Sequence, residues 1–430
     1  MNFRKILDTV NHIFIFTISI VSSCHVIVIA SDLELQHKGA PLTIEDAVNI
    51  AINNNPIILS KKHKAEAAQG KTKQAKLVPN PEINLFTEEM PTEEIGLNQS
   101  QNMVSLSQKL EIGGKRKLRT DVAKKEENIL SLEEQTAIWN ITAQTKKAFF
   151  DLLTAQDELN LAKKTVEIAM NSKNLTDKKF KAGDIPKLEV LKAEVELSNA
   201  KTNVVEAERN MLNAIKRLQT VMGTIGTPLQ KLVPVPVTDA PLLKLEKLEE
   251  LLLKNYPDLQ AQKSNVTLSL LKVKEAKRKI IPDVDVSLGY KRLSAIDEDT
   301  IQAGISLPLP FFNRNQGNII EAEKLSHKAK DDEAAARNEL LLQLDNAYSM
   351  YASTRELVRS FIDTIVPQAE ESLKMSKQGY EHGEFDFLEV LDAQRTLVTA
   401  NVSYLKALNG LFTSMTEIER LVGVKVSDFK

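Results

Sequence analysis

Hydrophobic residues recur every seven positions along the middle of the chain, inside a stretch from Lys117 to Lys181 that contains no proline or glycine. A spacing of seven is typical of a helix that packs along a coiled-coil seam. With a rise of about 1.5 Å per residue, such a helix would be roughly 100 Å long, which is too long for a globule. The two rows of the seam are Ile141, Ala148, Ala155, Ala162 and Ala169, and Leu152, Leu159 and Val166.

A second seam with the same spacing lies in a proline-free stretch from Gln316 to Val366. Four shorter helical segments are also predicted, and two of them placed end to end equal one long helix in length. The pattern therefore predicts an elongated molecule of paired helices. The second seam contains Ala347, Thr354 and Phe361 with Leu344, Tyr351, Val358 and Ile365, and the shorter segments are Ile44 to Leu77, Leu188 to Met222, Leu245 to Lys279 and Leu388 to Val422.

Two segments after Pro282 alternate between apolar and polar residues, which predicts a β-hairpin with one apolar face. Ile83 and Leu85, then Val104 and Leu106, alternate less cleanly in the first half. Such a hairpin either caps the helices as a small sheet or lies in an outer membrane with its apolar residues facing lipid. In the second case the lipid-facing residues are Val284, Val286, Leu288, Tyr290, Ile301, Ala303, Ile305 and Leu307.

Four strands cannot close a membrane barrel, because the smallest known barrels have eight. If these strands cross a membrane, the chain must therefore oligomerise. The order of elements in each half reads helix, strand, strand, very long helix, helix.

Similar segments recur about 200 residues apart, so the chain is a duplicated unit. Asn54-Asn55-Pro56 is matched by Asn255-Tyr256-Pro257, and Leu188 to Ala193 by Leu388 to Ala393. The prolines near residue 240 mark the junction, because proline disfavours both helix and sheet. We assign residues 31–240 to the first repeat and 241–430 to the second, with the two halves intertwined in one body.

Residues 1–30 are predicted to be a signal peptide. Arg4 and Lys5 precede an apolar stretch, and Val28-Ile29-Ala30 is a small-residue cleavage site. A transmembrane anchor is the alternative, but polar residues around Cys24 interrupt the apolar run. Cys24 also lies in a segment similar to a bacterial lipobox, which makes lipidation of Cys24 a second alternative.

Composition argues against several functions. With 15 Gly and 15 Pro in 430 residues, turn residues are well below the average of about 12%, which disfavours turn-rich enzyme folds. A formal charge of −2 gives no reason to expect nucleic acid as a partner. The spacing of the six histidines matches no metal motif, and no nucleophile or phosphate-loop motif is present. We therefore expect no catalytic residues, no metal site and no cofactor, and the chain is not predicted to be an enzyme.

Two matching turns carry a resemblance to a known family. Ser107-Gln108-Lys109-Leu110-Glu111-Ile112-Gly113-Gly114-Lys115-Arg116 and Pro308-Leu309-Pro310-Phe311-Phe312-Asn313-Arg314-Asn315-Gln316-Gly317, within the duplicated halves, resemble the TolC family of outer-membrane efflux channels. Both turns are most similar to the cobalt–zinc–cadmium and copper–silver resistance branch.

The resemblance implies a mainly α-helical fold with a membrane β-barrel. Three chains would form a twelve-stranded barrel in the outer membrane of a Gram-negative bacterium, continued by a helical tunnel in the periplasm. It also implies a passive channel in a tripartite efflux system, which conducts exported substrates, heavy-metal cations in this branch. The implied partners are two further copies, outer-membrane lipid, a periplasmic adaptor (membrane fusion) protein, and an inner-membrane pump of the resistance-nodulation-division type.

The turns after the long helices would form the periplasmic tip. The resemblance assigns adaptor contact to Gly183, Asp184, Leu188, Leu191, Gly383, Glu384, Leu388 and Leu391. Four carboxylates near these turns would form rings of three that favour cations at the entrance: Asp184, Glu381, Glu384 and Asp386. The structural alternative is that the glycines simply end helices and that the acids favour helix N-termini.

Two other classes of protein fit the sequence less well. A periplasmic adaptor subunit has one helical hairpin between β-rich domains, whereas this sequence predicts two hairpins alternating with two strand pairs. A coiled-coil scaffold explains the seams but leaves the alternating strands unexplained. Finally, the basic residues Lys115, Arg116, Lys117 and Arg119 lie at the boundary between sheet and helix, where they could meet anionic headgroups.

Overall fold

The computed structural model describes residues 41–425, apart from residues 91, 93–94, 98–99, 236–240 and 242. The predicted signal peptide (1–30) and Cys24 lie outside the described residues. The elements below belong to one unit that begins at Pro41.

The same order of elements occurs twice. The first set is α1 (Ile44–Asn54), α2 (Pro56–Lys76), β1 (Glu82–Glu88), β2 (Gln101–Leu110), α3 (Lys115–Ala182) and α4 (Lys187–Met222). The second set is α5 (Leu245–Asn255), α6 (Pro257–Arg278), β3 (Val284–Leu293), β4 (Glu298–Ser306), α7 (Gln316–Ser360), a π-helical turn (Phe361–Ile365), α8 (Val366–His382) and α9 (Phe387–Val422).

Two predicted helices are each broken into two. The segment from Ile44 to Leu77 divides at Asn55, and the segment from Leu245 to Lys279 divides at Tyr256. Both residues are extended, with ψ of 122° and 118°, because each precedes a proline that begins the next helix. Our expectation of two uninterrupted helices was wrong at these positions.

The second long helix continues past the proline-free stretch and reaches His382, immediately before Gly383. A π-helical turn at Phe361–Ile365 carries it past Pro367. Equivalent positions in the two repeats are 199 residues apart before this turn, as for the buried Leu159 and Val358. After the turn they are 200 residues apart, as for Gly183 and Gly383. The π-helical turn therefore absorbs one extra residue and keeps the two hairpin tips in matching positions.

The strands form one antiparallel sheet in the order β1-β2-β3-β4. Leu85 pairs with Val104, Val104 with Tyr290, and Tyr290 with Ile301, which fixes the register across all four strands. Leu307, predicted as a strand residue, lies just beyond the end of β4.

Beneath the sheet the helices keep the order of the strands, with α2 beside α3, α3 beside α6, and α6 beside α7. Towards the helix–helix turns, α4 packs on α3, α3 on α9, and α9 on both α7 and α8. The largest hydrophobic clusters lie between these two levels, around Leu152 and Leu218 in the first repeat and around Tyr351 and Leu421 in the second. Within the described part of the chain, none of the helices is both long and apolar enough to cross a membrane.

Candidate functional site

One face of the sheet is apolar and exposed. Because side chains alternate along a strand, the register places alternate residues of all four strands on this face, which we call the apolar face. Ile301 is 80% exposed and Leu288 is 61% exposed. Of the residues that we predicted to face lipid, Val284 is half-buried and the others are exposed. The apolar face consists of Ile83, Leu85, Val104, Leu106, Leu110, Val284, Val286, Leu288, Tyr290, Ile301, Ala303 and Ile305.

Polar residues bound the apolar face at its two ends. At the loop end, Thr87 donates to Asn102 at 3.1 Å, and Arg292 pairs with Asp299 at 2.9 Å. At the helix end, Gln108 donates to a backbone oxygen of the chain before β1. From Asn102 to Gln108 the strand rises by roughly 20 Å, close to the apolar band of about 25 Å on membrane strands.

The centre of the opposite face of the sheet consists of small and polar residues. The space at Gly289 is tight, because a Cβ at this position would lie 3.0 Å from the Cβ of Ser105 and 3.2 Å from the oxygen of Val104. The central residues of this face are Ser105, Ser107, Ser287, Gly289, Gln302 and Gly304. The sheet therefore separates an apolar surface from a polar one.

Gly183 and Gly383 end α3 and α8 in the left-handed region, with φ of 83° and 80°. In each turn the backbone N–H of the next residue donates back to the helix, from Asp184 to Lys179 at 2.9 Å and from Glu384 to Gly379 at 2.8 Å. These are the hydrogen bonds of a glycine helix end. Both glycines therefore have a structural role at the turns.

The two turns lie side by side and are bonded to each other. The ammonium group of Lys179 donates to the backbone oxygen of Tyr380 at 2.5 Å and lies 4.5 Å from the centre of the Tyr380 ring. The Tyr380 hydroxyl in turn donates to the Glu189 carboxylate at 3.0 Å. Burial raises the pKa of the Tyr380 phenol, and the neighbouring Glu189 raises it further. These contacts tie α3, α4 and α8 together at the tip.

The predicted contact leucines differ in exposure. Leu188, Leu191 and Leu388 are exposed, but Leu391 is only 4% exposed. Leu391 packs with Tyr380 in a small cluster, so it serves the internal packing of the tip rather than its surface. Our expectation of a surface role for Leu391 does not fit this position. The other members of the cluster are Ala193, Phe387 and Val390.

Phe385 is an exposed aromatic residue at the second tip, in the turn Gly383-Glu384-Phe385-Asp386 that the resemblance assigns to the adaptor-contacting surface. The ring of Phe385 lies so close to Gly379 that a Cβ at Gly379 would overlap it. The first repeat has Lys179 and Ile185 at the corresponding positions, so the two tips present different surfaces.

The four predicted entrance carboxylates are all exposed. Asp386 stands at the N-cap of α9, yet its side chain makes no capping hydrogen bond, so capping does not account for this acid. Deeper in the tip, burial lowers the pKa of the Lys377 ammonium, and Glu381 acts in the opposite direction. Asp184, Glu381, Glu384 and Asp386 are therefore open to solvent around the two turns, with the exposed Lys181 and Lys187 beside Asp184.

No metal centre emerges from the geometry. Among the described side chains, no group of three or more His, Cys, Asp or Glu residues is arranged to hold a metal ion. The acids of the tip are dispersed over its surface rather than gathered around one point. This arrangement suits transient attraction of cations.

Exposed apolar residues also run along the outer helices, which sequence analysis missed. On α4 they lie opposite α3, and further residues of this kind occur on α7 and α8. Their seven-residue spacing, as in Val205 and Leu212, was the available indication in the sequence. The α4 residues, which we call the α4 stripe, are Val195, Val205 and Leu212, and those on α7 and α8 include Met350, Leu357 and Met375.

Residues 47–224 and 248–424 each match the model of the outer membrane efflux protein family. The chain therefore belongs to this family. The resemblance to TolC-family channels and to their heavy-metal branch is confirmed.

Named relatives agree with this assignment. The cobalt-zinc-cadmium resistance protein CzcC of Cupriavidus metallidurans is 29% identical over 392 residues, covering 90% of this chain and 91% of that protein. The cation efflux system protein CusC of Escherichia coli is 22% identical over 317 residues, or 67% of each protein. A crystal structure of CusC superposes with a TM-score of 0.77 at 16% identity, covering 88% of this chain and 91% of that chain. The duplicated, mainly helical fold that we expected is thereby confirmed.

Proposed function

We propose that this chain is the outer-membrane channel of a tripartite efflux system and that it passively conducts heavy-metal cations to the exterior. The observation that carries the proposal is the apolar face, where Ile301, Ile305 and Leu288 are more than half exposed in the single chain. Burying such a face in lipid is favourable because it removes apolar surface from water. The alternative of a sheet that caps the helices would instead bury this face against them.

Assembly as a trimer would complete the fold. The sheet has two edges, β1 and β4, whose backbone groups need partners in a membrane. Three copies would join β4 of one chain to β1 of the next and give twelve strands. The outermost helices lie on the same two sides of the chain, with α4 on the side of β1 and with α7 and α8 on the side of β4. The α4 stripe of one chain would therefore contact the exposed apolar residues of α7 and α8 in the next chain. One repeated contact of this kind closes into a ring.

The tip would be the docking surface for the periplasmic adaptor and, through it, the inner-membrane pump of the resistance-nodulation-division type. Leu188, Leu191 and Leu388 offer exposed apolar contacts beside Gly183, Asp184, Gly383 and Glu384. In a trimer each tip carboxylate would become a ring of three that attracts cations. The printed functions of CzcC and CusC support metal cations as the cargo.

Planar bilayers test the channel directly. Purified protein is expected to give stepwise conductance increments with a preference for cations. Ile301→Lys places a charge on the apolar face, where it costs about 2–4 kcal/mol near the bilayer centre, and should reduce insertion. Gln302→Lys places the same charge on the polar face and should insert normally. Equal insertion of both variants would contradict the proposed orientation of the sheet.

The cargo is tested separately in cells. A strain that lacks the gene should become sensitive to cobalt, zinc, cadmium, copper or silver and not to a panel of organic drugs. Sensitivity to drugs alone would leave the channel in place but overturn the metal assignment.

A further inference from the structure

A basic groove lies where the sheet meets the helices. It is an open depression of about 760 Å³ between α2, the end of β2 and the start of α3. Five cationic side chains line it, together with the exposed apolar residues Val78 and Leu110. The cationic residues are Lys76, Lys109, Arg116, Lys117 and Lys124, and all five are exposed.

The charge of the groove is largely unbalanced. Of its two acids, Glu111 already pairs with Arg119, which leaves Asp121. Lys115, which the sequence had grouped with these cations, pairs with Asp283 at 2.7 Å. Within the described residues, none of the five groove cations has a carboxylate within 4.0 Å. The groove therefore offers several cations to an external anion.

The groove opens on the same side as the apolar face. Leu110, the last residue of that face on β2, is part of its lining. Lys117, Asp121 and Lys124 are three or four residues apart and therefore lie on one side of α3. Arg119 lies on a different side of α3, where it donates hydrogen bonds to the Glu111 carboxylate and to a backbone oxygen of the chain after α2. Lys117 and Lys124 thus lie directly below the end of the apolar face, whereas Lys109 alternates with Leu110 and approaches the groove from the other face of β2.

The handedness of the chain gives the same result independently. Ser294 donates to Ser100 at 3.3 Å, so the even-numbered residues of β2, which include Val104 and Leu106, direct their peptide groups toward β3. When the sheet is viewed from its apolar face with the loops at the top, β3 therefore lies to the left of β2. The helices keep the order of the strands, so α2 lies to the right of α3. Because α3 is right-handed and runs downward from β2, Lys117 and Lys124 lie on the side of α3 that faces the viewer, which is the side of the apolar face.

The second repeat lacks this cluster. The second, third and tenth residues of α3 are Arg116, Lys117 and Lys124, whereas the same places in α7 hold Gly317, Asn318 and Leu325. Joining a strand to a long helix therefore does not require these cations. Their presence once in each chain points to a specific ligand.

We propose that this groove binds the phosphodiester headgroup of an anionic phospholipid in the membrane leaflet that faces the periplasm. The cations would contact the phosphate, and Val78 and Leu110 would contact the first methylene groups of the acyl chains. Lys and Arg side chains close to an anionic membrane surface are attracted to it. The inference rests on the proposed outer-membrane placement, because only that placement brings lipid headgroups to this level.

Native mass spectrometry of the detergent-extracted assembly tests the site, with phosphatidylglycerol and phosphatidylethanolamine as probes. The wild-type protein should retain phosphatidylglycerol preferentially. The triple variant Arg116→Gln, Lys117→Gln, Lys124→Gln should lose at least about tenfold in affinity for phosphatidylglycerol. The triple variant Lys163→Gln, Lys164→Gln, Lys178→Gln removes the same charge lower on α3, at exposed positions, and should bind as the wild type does.

Three results would overturn the proposal: equal binding by the two triple variants, no preference of the wild type for the anionic lipid, or displacement of the lipid by millimolar inorganic phosphate. The third result would identify a free phosphate as the ligand. A wild-type chain that is not extracted as a membrane assembly would instead contradict the proposed function, so the two failures are distinguishable.

Discussion

The hydroxyl of Tyr380 donates a hydrogen bond of 3.0 Å to the carboxylate of Glu189 and so ties the second hairpin tip to helix α4 of the first repeat. Lys179 reinforces the junction from α3 by donating to the backbone oxygen of Tyr380. The two tips of one chain are therefore held as a unit by side chains from both repeats.

Tyr380→Phe should loosen this junction while keeping the packing of the ring. Loss of the hydrogen bond costs about 0.5–1.5 kcal/mol, so amide hydrogen exchange in the turns 183–186 and 383–386 should become several-fold faster. The control is Tyr348→Phe, which removes a hydroxyl that donates to Leu243 far from the tip. If exchange at the tip is the same in both variants, the Tyr380–Glu189 bond does not hold the hairpins together.

Gly423 is expected to tolerate substitution less well than Gly183, although both end a helix in the left-handed region. A Cβ at Gly423 would overlap the ring of Trp139, whereas a Cβ at Gly183 would meet no atom within 4 Å. Gly183→Ala should cost about 1–2 kcal/mol from the backbone alone, and Gly423→Ala about 1–3 kcal/mol more from the overlap. Heat denaturation measures both, and equal losses would show that Trp139 moves aside freely.

Stability should fall in acid through Glu133, which accepts hydrogen bonds from Lys61 at 2.9 Å and Lys64 at 3.2 Å and so joins α3 to α2. Burial acts to raise the pKa of Glu133, but the two lysines together outweigh burial and lower it below the usual 4.5. Because the folded pKa is the lower one, the stabilisation is present above pH 4.5 and is lost as the pH falls through the folded pKa.

Glu133→Gln should therefore lower the midpoint of heat denaturation at pH 7 and differ progressively less from the wild type below pH 4.5. Glu167→Gln, at an exposed position on the same helix, should have little effect at either pH. A deficit of Glu133→Gln that stays constant down to pH 3 would rule out this ionic contribution.

The α4 stripe should be required for assembly. The double variant Val205→Glu, Leu212→Glu puts two charges into the proposed contact between chains, and burying an unpaired charge is costly. Asn203→Glu, Asn210→Glu adds the same charges at the same spacing at exposed positions on the nearly opposite side of α4. Native mass spectrometry should find the trimer reduced only in the first variant. Equal assembly of the two would place the contact between chains elsewhere.

The sequence was sufficient to predict the long helices and the second hairpin because these elements have strong periodic patterns. The seam through Ile141, Ala148 and Ala155 is buried as expected, and the alternation from Val284 to Tyr290 lies on one strand. Proline-free stretches favour long helices, and each of the two long helices ends at a glycine in the left-handed region, Gly183 or Gly383.

What the sequence could not predict depends on packing in three dimensions. Leu191 and Leu391 occupy equivalent positions in the repeats, yet only Leu391 is buried, because Tyr380 and Phe387 lie beside it. Pro367 marks an irregularity in the second long helix, but the π-helical turn at Phe361–Ile365 also compensates a register difference between two distant helices, which the local sequence does not show. The basic groove required the fold to bring Lys76 next to Arg116.

The most direct test of the channel assignment is the mass of the complex extracted with detergent from the outer-membrane fraction. We predict three copies of the chain in one membrane-bound assembly, because only a ring of three joins β4 of each chain to β1 of the next and gives a twelve-stranded sheet. A soluble monomer or dimer in the periplasm would contradict this account and favour a coiled-coil scaffold.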